Sequence, residues 1–228
     1  MVAKYGWSFC SSNGWVERKL VLFFSMPKLE RAFYLEKNVL KVAKSLLGKV
    51  LVTETDGIRT SGRIVETEAY NGAVDRASHA WNNRRTGRTE IMFAEGGVAY
   101  VYLCYGIHHL FNVVTNVREV PHAVLVRALE PLEGIPVMLE RTGKPRVDFT
   151  LTSGPGSLSK ALGINTALTG QDLLGNRIWI EDAAPVPARD ILAGTRVGVA
   201  YAMEDAYLPY RFSIRGSKWV SRGKGLAR

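Results

Sequence analysis

Apolar residues recur at helical spacing between Lys37 and Leu47, a pattern that predicts an amphipathic helix over this segment. Asn38 is a candidate N-cap because its side chain can accept hydrogen bonds from the first unpaired amides of a helix. Gly48 directly follows the last periodic residue, where a glycine favours helix termination. Two further short helices are expected at residues 132–141 and 157–162.

Short runs of β-branched and aromatic residues, separated by turn residues, predict most of the remaining elements. Asp56-Gly57 and Gly106 are the turn signals that join two pairs of these runs into hairpins. Antiparallel hairpins combined with a few helices predict an α+β fold. The predicted strands cover residues 50–54, 63–70, 98–105, 110–115, 123–129, 177–181 and 196–201.

The chain is long enough for one domain with a sizeable core, which we place at residues 26–228. Residues 1–25 contain one short apolar patch and no convincing signal-peptide cleavage site. They are interpreted as a weakly ordered N-terminal extension or as a misassigned start. No apolar run approaches the ~20 residues that cross a bilayer, so no membrane partner is expected.

Lysine and arginine total 30 against 21 acidic residues, which gives a net charge of +9. This excess favours a polyanionic partner, because each basic side chain near a phosphate releases condensed counterions. A basic surface that only maintains solubility is the equally weighted alternative. Between Arg211 and Arg228 there are six basic residues and no acidic one. We interpret this run either as a solvated tail or, because apolar residues interrupt it, as a folded basic edge.

Cys10 and Cys104 are the only cysteines in the sequence, too few for a disulfide scaffold and without the Cys-x-x-Cys spacing of zinc or redox sites. His108 and His109 are adjacent, so in a strand their side chains point to opposite faces. We therefore expect no metal site. A reducing cytoplasm is the expected compartment, with association with the nucleoid if the source is bacterial.

Glu66, Glu68 and Tyr70 have the same parity in a predicted strand, so two carboxylates and an aromatic ring project from one face. Two close carboxylates tend to raise the pKa of one of them, which suits general acid–base chemistry. A solvent-facing strand edge is the more common explanation of such a pattern. Spacing alone does not choose between Glu66 and Glu68 as the working residue.

Tyr100 and Tyr102 share a strand face, and Tyr105 lies beside the turn residue Gly106. Aromatic rings near the tip of a hairpin and beside a basic loop can stack on bases or wedge between them. Strand tyrosines are also common core residues, and for these three residues taken alone the core interpretation is favoured.

Taken together, these segments closely resemble the alkyladenine (3-methyladenine) DNA glycosylase family. The similarity runs in the family's order from Leu29 to Ser221, and motifs this long and numerous are very specific. The matching motifs are Arg63-Ile-Val-Glu-Thr-Glu-Ala-Tyr70, His79, Met92-Phe93, Tyr100-Val-Tyr102, Tyr105-Gly106, Asn112, Val124-Leu-Val-Arg-Ala-Leu-Glu-Pro131, Thr152-Ser-Gly-Pro-Gly156, Arg196-Val-Gly-Val199 and Arg215-Gly-Ser-Lys-Trp-Val220.

The resemblance implies a single α+β domain around a curved antiparallel sheet, with a DNA-intercalating β-hairpin. It also implies a monofunctional DNA glycosylase of base excision repair that needs no cofactor. Such an enzyme flips an alkylated purine, for example 3-methyladenine, out of duplex DNA and hydrolyses the N-glycosidic bond with an activated water. The product is an abasic site. The implied partner is double-stranded DNA containing damaged purines, and we expect the protein to be a monomer.

Residue by residue, the resemblance implies that Glu68 is the general base that activates the water. Arg127 and the backbone carbonyl of Val197 would help to hold that water.

A non-catalytic nucleic-acid-binding module is the main alternative class, and the carboxylate at position 68 argues against it. A formyltransferase-like module acting on RNA is a weaker alternative, since nothing in the chain resembles a folate site.

The same match implies the residues that bind the flipped base. Tyr70, His79 and Tyr102 would sandwich it, and electron-rich tyrosine faces favour cationic alkylated purines. Ala77 would contact the purine through its backbone amide. Asn112 matches a position on the pocket floor, where an asparagine is expected to obstruct the 2-amino group of normal guanine.

DNA contacts outside the pocket are implied for two segments. Tyr105 resembles the residue that wedges into the duplex and fills the gap left by the flipped base, and we place Ile107 beside it as a second DNA contact. Arg84, Thr86 and Arg88 match a loop that binds DNA.

Overall fold

A computed structural model of the chain describes residues 26–227, so the prediction for residues 1–25 lies outside the described part. The helices are α1 (Arg31–Tyr34), α2 (Val39–Leu46), α3 (Ile135–Thr142) and α4 (Pro155–Leu162). The strands are β1 (Val50–Thr55), β2 (Ile58–Tyr70), β3 (Ala99–Cys104), β4 (His108–Thr115), β5 (His122–Glu133), β6 (Ile178–Glu181), β7 (Ile191–Gly194) and β8 (Arg211–Ile214). Short 3₁₀ turns occupy several of the connections between these elements. The predicted α+β class is confirmed.

The described strands form one antiparallel sheet in the order β3-β4-β5-β2-β1-β6, and β8 joins β2 to β7. Strand β2 is the centre of this arrangement. Along one edge it pairs with β5, and along the other it pairs first with β1 and then with β8. Its register against β5 shifts on both sides of Glu66. Such bulges bend a strand and increase its twist, which curls the sheet.

The core lies on the face of the sheet that the helices cover. Helix α2 packs against β2 and β5, and α4 packs against β4 and β5. As predicted, α2 begins after Asn38, whose side-chain oxygen accepts hydrogen bonds from the amides of Leu40 and Lys41 at 3.0 and 3.2 Å. Among the described helices, none is long and apolar enough to cross a membrane.

The hairpin formed by β3 and β4 lies at one edge of the sheet and carries exposed apolar side chains at its tip. Tyr105 and Gly106 have φ values of 51° and 73°, the left-handed geometry that fits the twist of a tight hairpin. Tyr105 is 90% exposed and Ile107 is 71% exposed. The predicted turn near Gly106 is therefore confirmed. The side chains of Tyr105 and Ile107 lie outside the core.

Two sequence-based predictions need correction, and one alternative that the sequence left open is decided. The strand predicted at 196–201 is wrong, because Arg196 is drawn into the interior by an ion pair and a 3₁₀ helix begins at Ala200. The helix predicted at 132–141 begins only at Ile135, since β5 continues to Glu133. The basic C-terminal run begins with strand β8, so it starts as a folded basic edge and not as a solvated tail.

Candidate active site

A cavity of about 460 Å³ opens beside the β3–β4 hairpin, a volume within the usual range for small-molecule sites. Strands β3, β4 and β5 supply its floor, and the segments that follow β2 and β7 supply its walls. The lining includes every residue predicted to bind the base, namely Tyr70, Ala77, His79, Tyr102 and Asn112. Sequence reasoning therefore brought together side chains that lie up to several strands apart.

Aromatic rings form one wall of this cavity. The ring centroids of His79 and Tyr102 lie 4.7 Å apart at 75°, an edge-on contact, and those of Tyr100 and Tyr102 lie 5.5 Å apart. The guanidinium of Arg88 lies 4.7 Å from the centroid of the Tyr102 ring, where a cation interacts favourably with the π-electrons. Such a wall offers flat, electron-rich faces to a planar ligand.

His79 is held as a neutral imidazole. Burial, together with the nearby charges of Arg88 and Arg84, lowers the pKa of His79 to about 4. Arg88 can only donate a hydrogen bond, so His79 Nε2 accepts from Arg88 Nη2 at 3.2 Å. The proton therefore resides on Nδ1, which donates to the Tyr100 hydroxyl at 2.9 Å. A cationic ligand would meet no positive charge on this ring.

The carboxylate of Glu68 is fully buried directly behind the cavity. Oε1 accepts a hydrogen bond from the Val197 amide at 2.8 Å, and Oε2 accepts one from the Tyr70 hydroxyl at 2.9 Å. Arg127 Nη1 lies 3.3 Å from Oε2. These three partners all line the cavity, so they hold the carboxylate at its edge.

The tyrosines next to this carboxylate remain protonated. Burial raises the pKa of Tyr70 well above its usual value, and the negative charge of Glu68 acts in the same direction. Burial likewise raises the pKa of Tyr102. The Tyr70 hydroxyl can therefore donate to Glu68 over the whole physiological range of pH.

Glu66 is also fully buried, but it faces a different set of groups. Ser221 donates to it from its amide at 2.7 Å and from its hydroxyl at 3.0 Å. Arg127 Nε donates to Oε1 at 3.3 Å. Glu68 contacts three residues that line the cavity, Tyr70, Val197 and Arg127, whereas Glu66 shares only Arg127 of these. The geometry therefore favours Glu68, where strand parity left the choice open.

A buried ion pair that sequence reasoning missed links the walls of the cavity. Arg196 is fully buried and binds Asp75 through two contacts, Nη1–Oδ2 at 2.5 Å and Nη2–Oδ1 at 2.9 Å. Arg196 also donates to the carbonyls of Ala69 at 3.0 Å and Asp205 at 3.1 Å. The only sequence signal was an arginine inside an otherwise strand-like apolar run.

Two of the predicted pocket residues have amide groups that are already bonded. The Ala77 amide, expected to contact a purine, donates to Asp75 Oδ1 at 3.0 Å, so it is occupied. The side-chain amide nitrogen of Asn112 donates to the carbonyls of Tyr100 at 3.1 Å and Leu110 at 3.3 Å. These two bonds fix the orientation of the Asn112 side chain at the cavity floor.

The predicted DNA-binding loop lies at the rim of the cavity. Arg84, Thr86 and Arg88 are all exposed, and each lines a second groove that adjoins the first. Arg85 is exposed as well, but its guanidinium binds the carboxylates of Glu90 and Glu119 at 2.8 and 2.6 Å. Within residues 26–227, no group of three or more His, Cys, Asp or Glu side chains could hold a metal ion.

A buried carboxylate behind a cavity walled by tyrosines, with arginines at the rim, defines a site for a flat, electron-poor ring on an anionic scaffold. Comparisons with known proteins identify the family to which the chain belongs. The family model for methylpurine-DNA glycosylase (MPG) matches residues 32–218. A protein of Alkaliphilus oremlandii is 46% identical over 202 residues, which cover 86% of this chain and 99% of the relative.

Two further relatives come from Desulfitobacterium hafniense and Clostridium acetobutylicum, at 42% and 45% identity over 203 and 201 residues. The alignments cover 86% and 85% of this chain and 99% and 97% of those relatives. All three proteins carry the name "Putative 3-methyladenine DNA glycosylase". The chain belongs to the methylpurine-DNA glycosylase family, which confirms the resemblance seen in its motifs. It is therefore a DNA glycosylase of DNA repair.

The ion pair between Asp75 and Arg196 predicts a large loss of stability when one partner is removed. We expect Asp75→Asn to lower the free energy of unfolding by about 3–5 kcal/mol, because it leaves a buried guanidinium without its counter-charge. Glu204→Gln, which breaks the neighbouring exposed pair with Arg76, should cost about 0–1 kcal/mol. Denaturant unfolding of both variants makes the comparison. Equal losses of unfolding free energy in the two variants would contradict the expectation that breaking the buried pair costs more than breaking the exposed one.

The neutral state of His79 predicts an unusual titration. In wild-type protein the His79 imidazole should titrate near pH 4, and Arg88→Gln should move the midpoint upward because one nearby positive charge is removed. An unfolded histidine titrates near 6.5, so this group destabilises the folded state as pH falls from about 6.5 towards 4. NMR titration measures the midpoint, with His79→Gln to assign the resonance. A midpoint near 6.5 would contradict the burial argument.

Proposed function

We propose that the protein flips an alkylated purine out of duplex DNA into this cavity and hydrolyses its N-glycosidic bond. The observation that carries the proposal is the position of Glu68, a fully buried carboxylate whose hydrogen-bond partners all line an aromatic cavity. A base inside the duplex exposes neither its faces nor C1′, so a cavity of this depth acts only on an extruded nucleotide.

The cavity suits purines that carry a positive charge. The faces of Tyr70 and Tyr102 attract a cationic ring, and neutral His79 does not repel it. Alkylation at N3 or N7 gives a purine both this charge and a weakened glycosidic bond. The proposed substrates are therefore alkylated purines such as 3-methyladenine.

Glu68 is the proposed general base. Its Oε1 accepts one hydrogen bond, from the Val197 amide, which leaves a lone pair for a water molecule. The water donates a proton to Glu68 and its oxygen attacks C1′, while the bond from C1′ to the purine nitrogen breaks. The purine leaves with the bonding electrons, which neutralise its positive charge. Arg127 and the Val197 carbonyl are proposed to hold the water, and both residues line the cavity.

The proposed reaction is monofunctional and leaves an abasic site. A glycosylase with lyase activity uses an amine nucleophile to form a Schiff base. Among the described residues that line the cavity there is no lysine. Water is therefore the proposed nucleophile, and no covalent adduct between enzyme and DNA is expected.

Tyr105 and Ile107 are the proposed wedge at the tip of the β3–β4 hairpin. Their exposure places apolar surface where it can replace the stacking lost by the flipped nucleotide. Arg84 and Arg88 would bind the phosphates that flank the site, in keeping with the net charge of +9.

Glu68→Gln should abolish base release while leaving binding to lesion DNA intact. The amide keeps the shape of the side chain but cannot take a proton from water, and general base catalysis contributes about 10²–10⁴-fold. Single-turnover release of 3-methyladenine from a methylated duplex measures the effect. Glu181→Gln is the matched control, because it removes a buried carboxylate on β6, away from the cavity. A wild-type rate in Glu68→Gln would transfer the role to Glu66.

Tyr105→Ala should weaken capture of the flipped nucleotide, because nothing then occupies the vacated stack and re-insertion becomes faster. Unstacking costs a few kcal/mol, so the loss should be visible in the fluorescence of a 2-aminopurine next to the lesion. Ile58→Ala, at the other exposed hairpin turn, should leave the signal unchanged. An unaltered flipping signal in Tyr105→Ala would remove this residue from the wedge.

Asn112 is the proposed determinant that rejects normal guanine. Its two hydrogen bonds to backbone carbonyls prevent it from moving aside, so a 2-amino group on the flipped base would meet fixed atoms. Asn112→Ala should therefore raise release of undamaged guanine opposite thymine, with little change for hypoxanthine, which lacks that group. Asn116→Ala, outside the cavity, serves as the control. Equal losses for every base in Asn112→Ala would assign the residue a structural role only.

A further inference from the structure

Arg127 lies between the two buried carboxylates of β2 and contacts both. Its Nε lies 3.3 Å from Glu66 Oε1, and its Nη1 lies 3.3 Å from Glu68 Oε2. Burial alone would lower the pKa of Arg127, but the charges of Glu68 and Glu66 more than offset this and raise it. One guanidinium is therefore shared between the proposed base and a second carboxylate that the proposed mechanism does not use.

Glu66 is itself held by residues far away in sequence. Besides the two hydrogen bonds from Ser221, Arg211 Nη1 lies 3.6 Å from Glu66 Oε1. The Ser221 hydroxyl also lies 3.4 Å from Arg127 Nη2. Ser221 thus touches both the carboxylate and the guanidinium, and it can orient them relative to each other.

The C-terminal segment, residues 221–226, is seated against the rear of this cluster. Arg211 donates to the carbonyl of Gly223 at 2.6 Å, and Thr195 donates to the carbonyl of Leu226 at 2.7 Å. A Cβ atom on Gly223 would lie 3.0 Å from the Val197 side chain and 3.3 Å from Arg127 Nη2. The glycine therefore permits the segment to pack directly on two groups that flank Glu68.

We propose that Glu66 is a positioning residue for the reaction: held by Ser221, it fixes the guanidinium of Arg127 so that only one of its terminal nitrogens faces Glu68. The C-terminal segment thereby becomes part of the catalytic apparatus without touching the substrate. This inference rests on the proposed role of Glu68 as general base.

Arg127 divides its contacts between two carboxylates, so Glu68 does not have the whole guanidinium to itself. The charged and titratable groups that face Glu68 are Arg127, Arg196, Tyr70 and Tyr201. Loss of the Glu66 charge removes a nearby repulsion and frees Arg127 to pair with Glu68 alone. Both changes stabilise the negative charge of the Glu68 carboxylate, so they act in the same direction.

The experiment compares Glu66→Gln and Ser221→Ala with wild type, using Glu181→Gln as the control for loss of a buried carboxylate. Single-turnover release of 3-methyladenine from a methylated duplex is measured against pH at saturating enzyme, below the melting temperature of each variant. We expect Glu66→Gln to lower the rate roughly 10–100-fold, the scale of loss when a catalytic group is displaced by about 1 Å. The acid midpoint of its rate profile should move to lower pH, with duplex binding unchanged.

Ser221→Ala keeps both charges and removes only the hydroxyl, so it separates positioning from electrostatics. We expect a smaller fall in the rate at saturation, again without weaker binding. Wild-type rates in both variants would overturn the proposal, and if Glu66→Gln does not fold, a wild-type rate in Ser221→Ala suffices to do so. Full activity of Glu68→Gln would instead overturn the assignment of the base, so the two failures are distinguishable.

Discussion

The buried ion pair between Asp75 and Arg196 fixes the relative positions of the segments that make the cavity. Arg196 reaches the end of β2 through the carbonyl of Ala69, the loop after β2 through Asp75, and the turn after β7 through the carbonyl of Asp205. The residue after Arg196 is Val197, whose amide holds Glu68. A buried pair of this kind is costly to desolvate, and its measurable contribution is to favour one arrangement of the chain over others.

Strand parity and turn signals predicted the part of the site that depends on local geometry. The period of two in β2 placed Glu68 and Tyr70 on one face, and the structure joins them by a hydrogen bond of 2.9 Å. The turn at Gly106 was equally local, since it follows from a glycine between two apolar runs. Neither inference needed any knowledge of residues distant in sequence.

What the sequence did not specify depends on long-range contacts. The geometry that favours Glu68 over Glu66 includes the contact of Glu66 with Ser221, 155 residues away in sequence, and no local pattern contains that contact. The apolar alternation around Arg196 is typical of a strand, yet a buried charge partner overrides it and turns the segment inward. Burial of charged groups is thus where tertiary structure departed most from the sequence pattern.

Two large apolar side chains are exposed at the tip of the β3–β4 hairpin, and one of them belongs to a residue with an unfavourable backbone conformation. A left-handed backbone costs a non-glycine residue roughly 1–2 kcal/mol, and Tyr105 adopts it with a φ of 51°. An aromatic ring normally offsets such a cost by burial, but this ring is 90% exposed. Ile107, 71% exposed, gains equally little. Under the proposed function, the base stack of the opened duplex covers both side chains and supplies the burial that they lack in the isolated protein.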